Sequence, residues 1–504
     1  MPGFFVENFG CRATQADGAS IERQFRERGL VRASSPARAS VVVFNTCTVT
    51  AGADQDARAA IRRVRRQNPD ARIVVTGCYA QRAPQEIAAL GGVDLVVGNS
   101  HKHDLAEIAL AGTAGADGVN SSFVSLSQLT GSRVPGGECS SAPSILVSDI
   151  FAHTELLAAP VFEAANDRTR PNLKIQDGCD NRCSFCVIPW VRGQSRSLEP
   201  DRVLHEVNTL VGAGYREVVI SGINLGRWGN DLHLGPGTSD LGSAVGPAGP
   251  KSGSQRPTNH PTLADLVNAI LSETALEKLR VSSVEPMDWS DGLISLMASS
   301  PRIAKHAHVP MQSGSDAVLR RMHRKYRPWH YRRKIMKIRA AMPTAAIGAD
   351  VMVGFPGETE SEFEATRSMI EELPFTYLHV FTYSARPGTR AMEMTNPVPP
   401  RLARDRNRIL RELAAAKKLA FMRNFIGRTV EAITLNVAGS DCDGAYTEAL
   451  TDNYLKLRLR GTHQANRWLT VTVNDVVSGA LVGGLSAKLQ QAELKIPASL
   501  VAQA

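Results

Sequence analysis

Three thiols stand within eight residues in Cys179-Asp-Asn-Arg-Cys183-Ser-Phe-Cys186, a CxxxCxxC pattern. Zinc sites usually draw four tetrahedral ligands from two CxxC pairs, or from Cys together with His. Here only three thiolates are gathered, and soft thiolates also suit iron–sulfur clusters. Three cysteines on a four-iron cluster leave one iron without a protein ligand, open to a substrate or cofactor. A structural zinc site completed by a distant fourth ligand is the competing reading.

A second trio is scattered: Cys11, Cys47 and Cys78, separated by 36 and 31 residues. Each spacing is about one strand–helix unit, and each cysteine follows a short apolar run. The runs are Phe4-Phe5-Val6, Val41–Phe44 and Ile73-Val74-Val75. Continuous apolar runs of this kind fit strands buried on both faces of a parallel sheet. The C-terminal ends of such strands share one edge, where ligands bind. One buried cysteine alone reads as packing, but three at matched strand ends converge on one site. Cys139 and Cys442 have no such context and are not expected to be ligands.

The elements that must position these residues are legible in outline. Helical patterns over 17–29, opened by Asp17, and 54–67, closed by Asn68-Pro69, alternate with the first strands; residues 93–98 add another. The fold class is α/β. It comprises an N-terminal cluster domain over 1–111, a Gly/Ser/Ala-rich linker over 112–164, and a central alternating domain over 165–400. Candidate central strands are 217–221, 279–284, 306–310, 347–354 and 378–383, with a polar insertion at 231–260. A charged helix over 401–426 leads to short alternating runs over 427–490, read as a small antiparallel β-barrel, and a tail over 491–504.

The 504-residue length fits about three domains, and the +9 formal charge favours an anionic partner, with nucleic acid foremost. No apolar stretch is long enough for a membrane span, and the start lacks a basic leader, so a cytoplasmic location is expected. Clustered cysteines in such a compartment signal metal or catalysis rather than disulfides.

The chain resembles the methylthiotransferases of the radical S-adenosylmethionine superfamily. The resemblance rests on Phe9-Gly10-Cys11, Asn45–Thr50, Val75–Gln81, Gln176–Cys179, Arg192–Ser197, Val309–Asp316 and Asp350–Thr359. The segment Asn45-Thr46-Cys47-Thr48-Val49-Thr50 is most similar to the branch that modifies N6-threonylcarbamoyladenosine beside the transfer RNA anticodon. Sibling branches act on isopentenyladenosine or on an aspartate of a ribosomal protein. Thr14 stands where the family usually has Asn, and Gln194 where many members are basic.

The resemblance implies a central partial (β/α) barrel, a C-terminal TRAM barrel, and two 4Fe-4S clusters. Cys179, Cys183 and Cys186 would ligate the cluster that cleaves S-adenosylmethionine to a 5′-deoxyadenosyl radical. Cys11, Cys47 and Cys78 would ligate the one that supplies sulfur, a second S-adenosylmethionine giving the methyl group. Glu285, Gln312 and Asp350, near the ends of candidate barrel strands, are the expected cofactor-binding residues; each could instead close a turn. The implied partners are transfer RNA and an electron donor; the sulfur source is left open. Arg58, Arg62, Arg63, Arg65 and Arg66 on one helix, Arg320, Arg321, Arg324, Lys325 and Arg327 on another, and Tyr446, Tyr454, Lys456 and Arg458 are candidate RNA contacts. A non-catalytic RNA-binding protein with structural clusters is the alternative from a different class.

Overall fold

The computed structural model describes residues 3–111, 143–153, 156, 169–232, 260–441 and 443–486. Most of the linker, most of the 231–260 insertion, the tail, Cys139 and Cys442 lie outside them. The chain divides into two compact units, Met1–His153 and Thr154–Ala504.

The first unit is a six-stranded parallel sheet of β1 (Gly3–Asn8), β2 (Val31–Arg32), β3 (Val41–Thr46), β4 (Arg72–Gly77), β5 (Leu95–Val97) and β6 (Ser144–Leu146), in the order β2-β1-β3-β4-β5-β6. Helices α1 (Arg12–Glu27), α2 (Ala51–Gln67), α3 (Cys78–Arg82), α4 (Pro84–Ala88) and α5 (Leu105–Ala111) connect and cover it. Every residue of β3 is buried, because one apolar cluster lies on each face, around Val42 and Phe44 on one and Val41 and Val43 on the other. Each such aliphatic side chain stabilises the fold by about 1.5–3 kcal/mol.

Two sequence expectations need correction here. Residues 144–146, assigned to the linker, pair with β5 and extend the sheet. The first helix begins at Arg12, so Asp17 does not open it. Asp17 is buried mid-helix, 3.1 Å from Lys102 Nζ, and a carboxylate there is tolerable because it is paired.

In the second unit the parallel strands are β7 (Asn172–Asp177), β9 (Glu217–Gly222), β10 (Lys278–Val281), β11 (His306–His308), β12 (Ala346–Val353) and β13 (Tyr377–Thr382). The short β8 (Arg196–Ser197) lies antiparallel beside β7. Sheets β10-β9-β7-β8 and β11-β12-β13 join through parallel bridges Leu279–Ile303 and Ser283–His308, making a partial barrel. Between the strands run α6 (Ile188–Arg192), α7 (Pro200–Gly212), α8 (Leu263–Glu273), α9 (Asp291–Ser299), α10 (Asp316–Arg321), α11 (Pro328–Ala341) and α12 (Glu360–Glu372). Ile347, Ala349, Val351 and Val353 point one way from β12 into the main core. The period of two therefore sends Gly348, Asp350 and Met352 into the lumen.

Helix α13 (Pro400–Arg423) leads to β14 (Thr429–Asp441), β15 (Gly444–Thr451), β16 (Lys456–Arg460), β17 (Trp468–Val477) and β18 (Ala480–Leu485). These close a barrel in the order β14-β15-β16-β18-β17. It is not wholly antiparallel: β16 and β18 pair in parallel, the closure of a five-stranded OB-like barrel. Its β15–β16 turn caps the N-terminal end of the partial barrel. Arg280 donates to the carbonyls of Asp452 and Thr451, and Asn453 donates to Thr344 O. Burial alone would raise the Glu217 pKa, but Arg280 and Arg170 beside it hold it below the usual carboxylate value.

Candidate metal centres and the barrel lumen

The N-terminal trio sits where β1, β3 and β4 end, and the three strands are neighbours in register, Asn8 opposite Asn45 and Thr46 opposite Gly77. Two glycines bring the ends together. Gly10 has φ +110°, and a Cβ there would stand 2.6 Å from Cys47 Cβ, so the turn carrying Cys11 lies directly on Cys47. Gly77 has φ +99° and packs against the Thr46 backbone, pressing the start of α3, with Cys78, onto the residue before Cys47. Only glycine accepts both the dihedral and the approach. Behind them Lys102 Nζ contacts Asp17 and Asn45 Oδ1, and Asn45 Nδ2 donates to Asn8 Oδ1 and Thr14 O.

Soft contacts already surround these thiols. Thr14 Oγ1 is 3.7 Å from Cys11 Sγ, so the departure from Asn keeps a polar group at the sulfur. Asn99 Nδ2 is 3.7 Å from Cys78 Sγ. A donor set of three thiols from three separate strands fits a cluster with one iron left open.

The barrel trio is fastened by motif interlock. Gln176 Nε2 reaches Ser195 Oγ, Asp177 takes both oxygens to Arg192 Nη1 at 2.9 Å, and Cys179 N donates to Gly193 O. Gly178, φ +73°, lies against the Gln194 carbonyl. Gln194 contributes through its backbone while its side chain is exposed, so its identity matters little to the loop. Ser184 Oγ donates to Arg321 O, tying the middle of the cysteine loop to the end of α10.

Burial raises the thiol of Cys179 to about 11 and that of Cys186 to about 12. Without a cation such a pocket holds neutral thiols; bound iron would supply the charge that thiolates need. N–H donors point at the sulfurs: Asn181 N at 3.4 Å and Asn224 Nδ2 at 3.6 Å from Cys179, and Arg324 Nη1 at 3.3 Å from Cys183. These are the outer-sphere hydrogen bonds that tune a cluster. The residues present fit one.

Glu285 is ion-paired with Arg324, which places it beside Cys183. Gln312 has φ +62°, a strained conformation for a non-glycine. Its N–H is bonded to Asp350 O and its carbonyl accepts from Met352 N. Its buried Oε1 has no hydrogen-bond partner among the described residues. Asp350 lies apart from the cysteines, with His308 and His379; their ligand-type atoms are all within 4.8 Å of one another. Neither histidine was singled out in the sequence, although the alternation His306-x-His308 in a strand signals one polar face.

The chain matches the model of an uncharacterized protein family, UPF0004, over residues 3–98 and the Radical SAM superfamily model over 173–370. It is 35% identical to the threonylcarbamoyladenosine tRNA methylthiotransferase MtaB of Bacillus subtilis, covering 90% of this chain and 89% of that one. The chain belongs to the methylthiotransferase family. It is also 32% identical to the MtaB protein of Aquifex aeolicus, over 93% of this chain and 99% of that one. A tRNA-2-methylthio-N(6)-dimethylallyladenosine synthase of Acidothermus cellulolyticus is 32% identical over 86% and 78%. Among solved structures, the radical S-adenosylmethionine methyltransferase TsrM of Kitasatospora setae shares the fold, with TM-score 0.51 and 15% identity over 78% of this chain and 77% of that one. Membership in the radical S-adenosylmethionine superfamily carries with it one 4Fe-4S cluster and S-adenosylmethionine.

The RNA-contact expectations divide. Arg58 pairs with Glu86, Arg63 with Glu7 and Arg65 with Asp94, while Arg62 and Arg66 are exposed. The second basic group is not on one helix: α10 ends at Arg321, and Arg324 is turned inward to the cysteines. Tyr454 packs over His306, with ring centroids 4.6 Å apart, at the base of the barrel. Among the described residues no helix is long and apolar enough to cross a membrane.

Proposed function

We propose that the chain converts N6-threonylcarbamoyladenosine beside the anticodon of transfer RNA to its 2-methylthio derivative. The carrying observation is the match over nine-tenths of the chain to relatives named for that reaction. Two separate three-cysteine centres support it, since the product needs both an activated carbon and a sulfur. The C–H bond replaced is unactivated, so no side-chain acid or base can break it and the cofactor carries that step.

Cys179, Cys183 and Cys186 would hold the cluster whose chemistry, with S-adenosylmethionine bound, would be to supply a 5′-deoxyadenosyl radical. Cys11, Cys47 and Cys78 would hold a second 4Fe-4S cluster, whose role would be to deliver sulfur. Around the first, Arg324 holds Glu285 at the edge of the site, and the unsatisfied Gln312 Oε1 is the acceptor offered to the cofactor. Phe185, next to the last thiol, packs edge-on against Phe355 with centroids 6.3 Å apart, which fixes that end of the cysteine loop. An external one-electron donor and a cytoplasmic location complete the reading.

The test is mass spectrometry of nucleosides from bulk transfer RNA, with and without the gene. The expected result is loss of the 2-methylthio-threonylcarbamoyl nucleoside with accumulation of its precursor. Loss of the isopentenyl counterpart instead would move the chain to the sibling branch. No change in either would point to ribosomal protein.

A further inference from the structure

Register stacks the lumen wall of β12 and β13 in layers: Gly348 opposite Tyr377, Asp350 opposite His379, and Met352 opposite Phe381. The layer at the cysteine end is apolar, where Met352, Phe355 and Phe381 pack with Phe185. The layers beneath are polar, with Asp350, His379, His308 and Tyr377. Tyr377 and His379 also line a side cleft of about 480 Å³ where the open edge of the partial barrel meets α13 and the β15–β16 turn, and its cationic lining is Arg170, Arg411, Lys418 and Lys456. Glu448 is the one acidic residue in that lining. Arg170 is 3.5 Å from Glu217; Arg411, Lys418 and Lys456 have no ion-pair partner among the described residues. Three such cations against one carboxylate give the concave, partly apolar cleft a net positive lining.

The substrate in the function proposed above has a matching feature. Its N6 side chain ends in a carboxylate, whereas an isopentenyl side chain is wholly apolar. On the adenine ring, C2 and C6 flank N1. The exocyclic bonds at C2 and C6 diverge without opposing one another, so with C2 presented to the cysteine end the N6 side chain leaves the ring sideways, toward the edge strand β13 and the side cleft. We propose that this cleft is the subsite for the carboxylate of the N6 side chain. Arg411 and Lys418 pair with it, and His379, at the threshold between lumen and cleft, hydrogen-bonds the chain leading to it. A carboxylate gains charge-assisted bonds there; an apolar side chain gains none, so the subsite favours the carboxylate over it. This assignment rests on the proposed function. A backbone phosphate of the RNA is the other source of the same anionic chemistry.

The experiment uses the cluster-loaded full chain, as wild type and as R411A/K418A. Three anticodon stem-loop RNAs serve as probes: one carries threonylcarbamoyladenosine, one the same base with its carboxylate converted to a neutral carboxamide, one isopentenyladenosine. The expected result is kcat/KM lower by about ten- to hundredfold for the double variant on the carboxylate RNA. Wild type should lose a similar factor on the carboxamide, with no further loss in the variant, because both changes delete one interaction. The carboxamide arm needs no mutation, so a folding defect in the variant cannot imitate it. Wild-type turnover that is indifferent to the carboxamide overturns the proposal. Equal losses by the variant on both RNAs, with weaker binding of an unmodified stem-loop and a shallower salt dependence, assign the cleft to phosphate. Wild-type turnover of the isopentenyl RNA alone removes the proposed function itself, a failure distinct from either.

Discussion

The two cysteine centres reach the same donor count by opposite routes. The barrel trio comes from one eight-residue loop, so its spacing is set by local backbone geometry. The N-terminal trio comes from three strand ends more than thirty residues apart, so its geometry is set by sheet register and by two glycines. The first is a motif; the second is a property of a fold. A local loop keeps its ligands together while the surrounding unit breathes. A site assembled across strands loses its geometry with any change that shifts one strand end against the next.

The largest effects should come from removing one thiol at each centre. Cys183→Ala and Cys47→Ala are each expected to lower bound iron by about half and to abolish the methylthiolated product. They should differ in the intermediate chemistry. Cys47→Ala keeps reductive cleavage of S-adenosylmethionine, read as 5′-deoxyadenosine by chromatography, while Cys183→Ala loses it. Equal loss of 5′-deoxyadenosine in both variants would end the division of labour between the centres.

Backbone changes come next and sharpen the contrast. Gly10→Ala must fit a Cβ 2.6 Å from Cys47 Cβ at φ +110°, a strain of about 1–3 kcal/mol. It should drain iron from the N-terminal centre alone, as seen in the Mössbauer spectrum, and reduce product severalfold with 5′-deoxyadenosine retained. Gly178→Ala, meeting the Gln194 carbonyl, should instead reduce 5′-deoxyadenosine and product together. A Gly10→Ala protein with both centres full would mean that the strand-end assembly tolerates more slack than its packing implies.

What was legible in the sequence follows the same division. The CxxxCxxC loop and the strand–cysteine repeat could be read directly, because thiol spacing and short apolar runs are local signals. The polar groups that position the thiols could not. Lys102 lies far along the chain from Asp17 and Asn45, and its contacts exist only once α1, β3 and the segment after β5 are side by side. Asp17 looked like a helix cap for the same reason: its partner is tertiary. Residues 144–146, Ser-Ile-Leu, are too short to announce a strand, and the sheet edge at β5 recruits them. In the barrel, Arg324 read as one more charge in a basic run, whereas its depth in the fold makes it a cluster neighbour. Asp350 was read as lying near a strand end; it stands within β12, and its partners there, His308 and His379, come from the flanking strands.

The outer contacts of the two centres supply the smallest and most discriminating effect. The guanidinium of Arg324 donates to Cys183 Sγ from 3.3 Å, whereas Cys11 Sγ meets the neutral Thr14 hydroxyl at 3.7 Å. A reduced cluster carries one more negative charge than an oxidised one, so a nearby cation favours reduction. Arg324→Gln removes that cation and leaves the Glu285 carboxylate without its partner, and both changes disfavour the added electron. The barrel cluster potential should fall by on the order of 100 mV, the scale of one charge a few ångströms away in a partly screened site. Thr14→Val removes only a weak dipole, and the N-terminal potential should move by far less. Potentiometric titration followed by electron paramagnetic resonance, each centre isolated by a cysteine variant at the other, reads both values. A potential unchanged in Arg324→Gln would reduce Arg324 to a packing residue, and the electrostatic difference between the two centres would then lie in their solvent exposure.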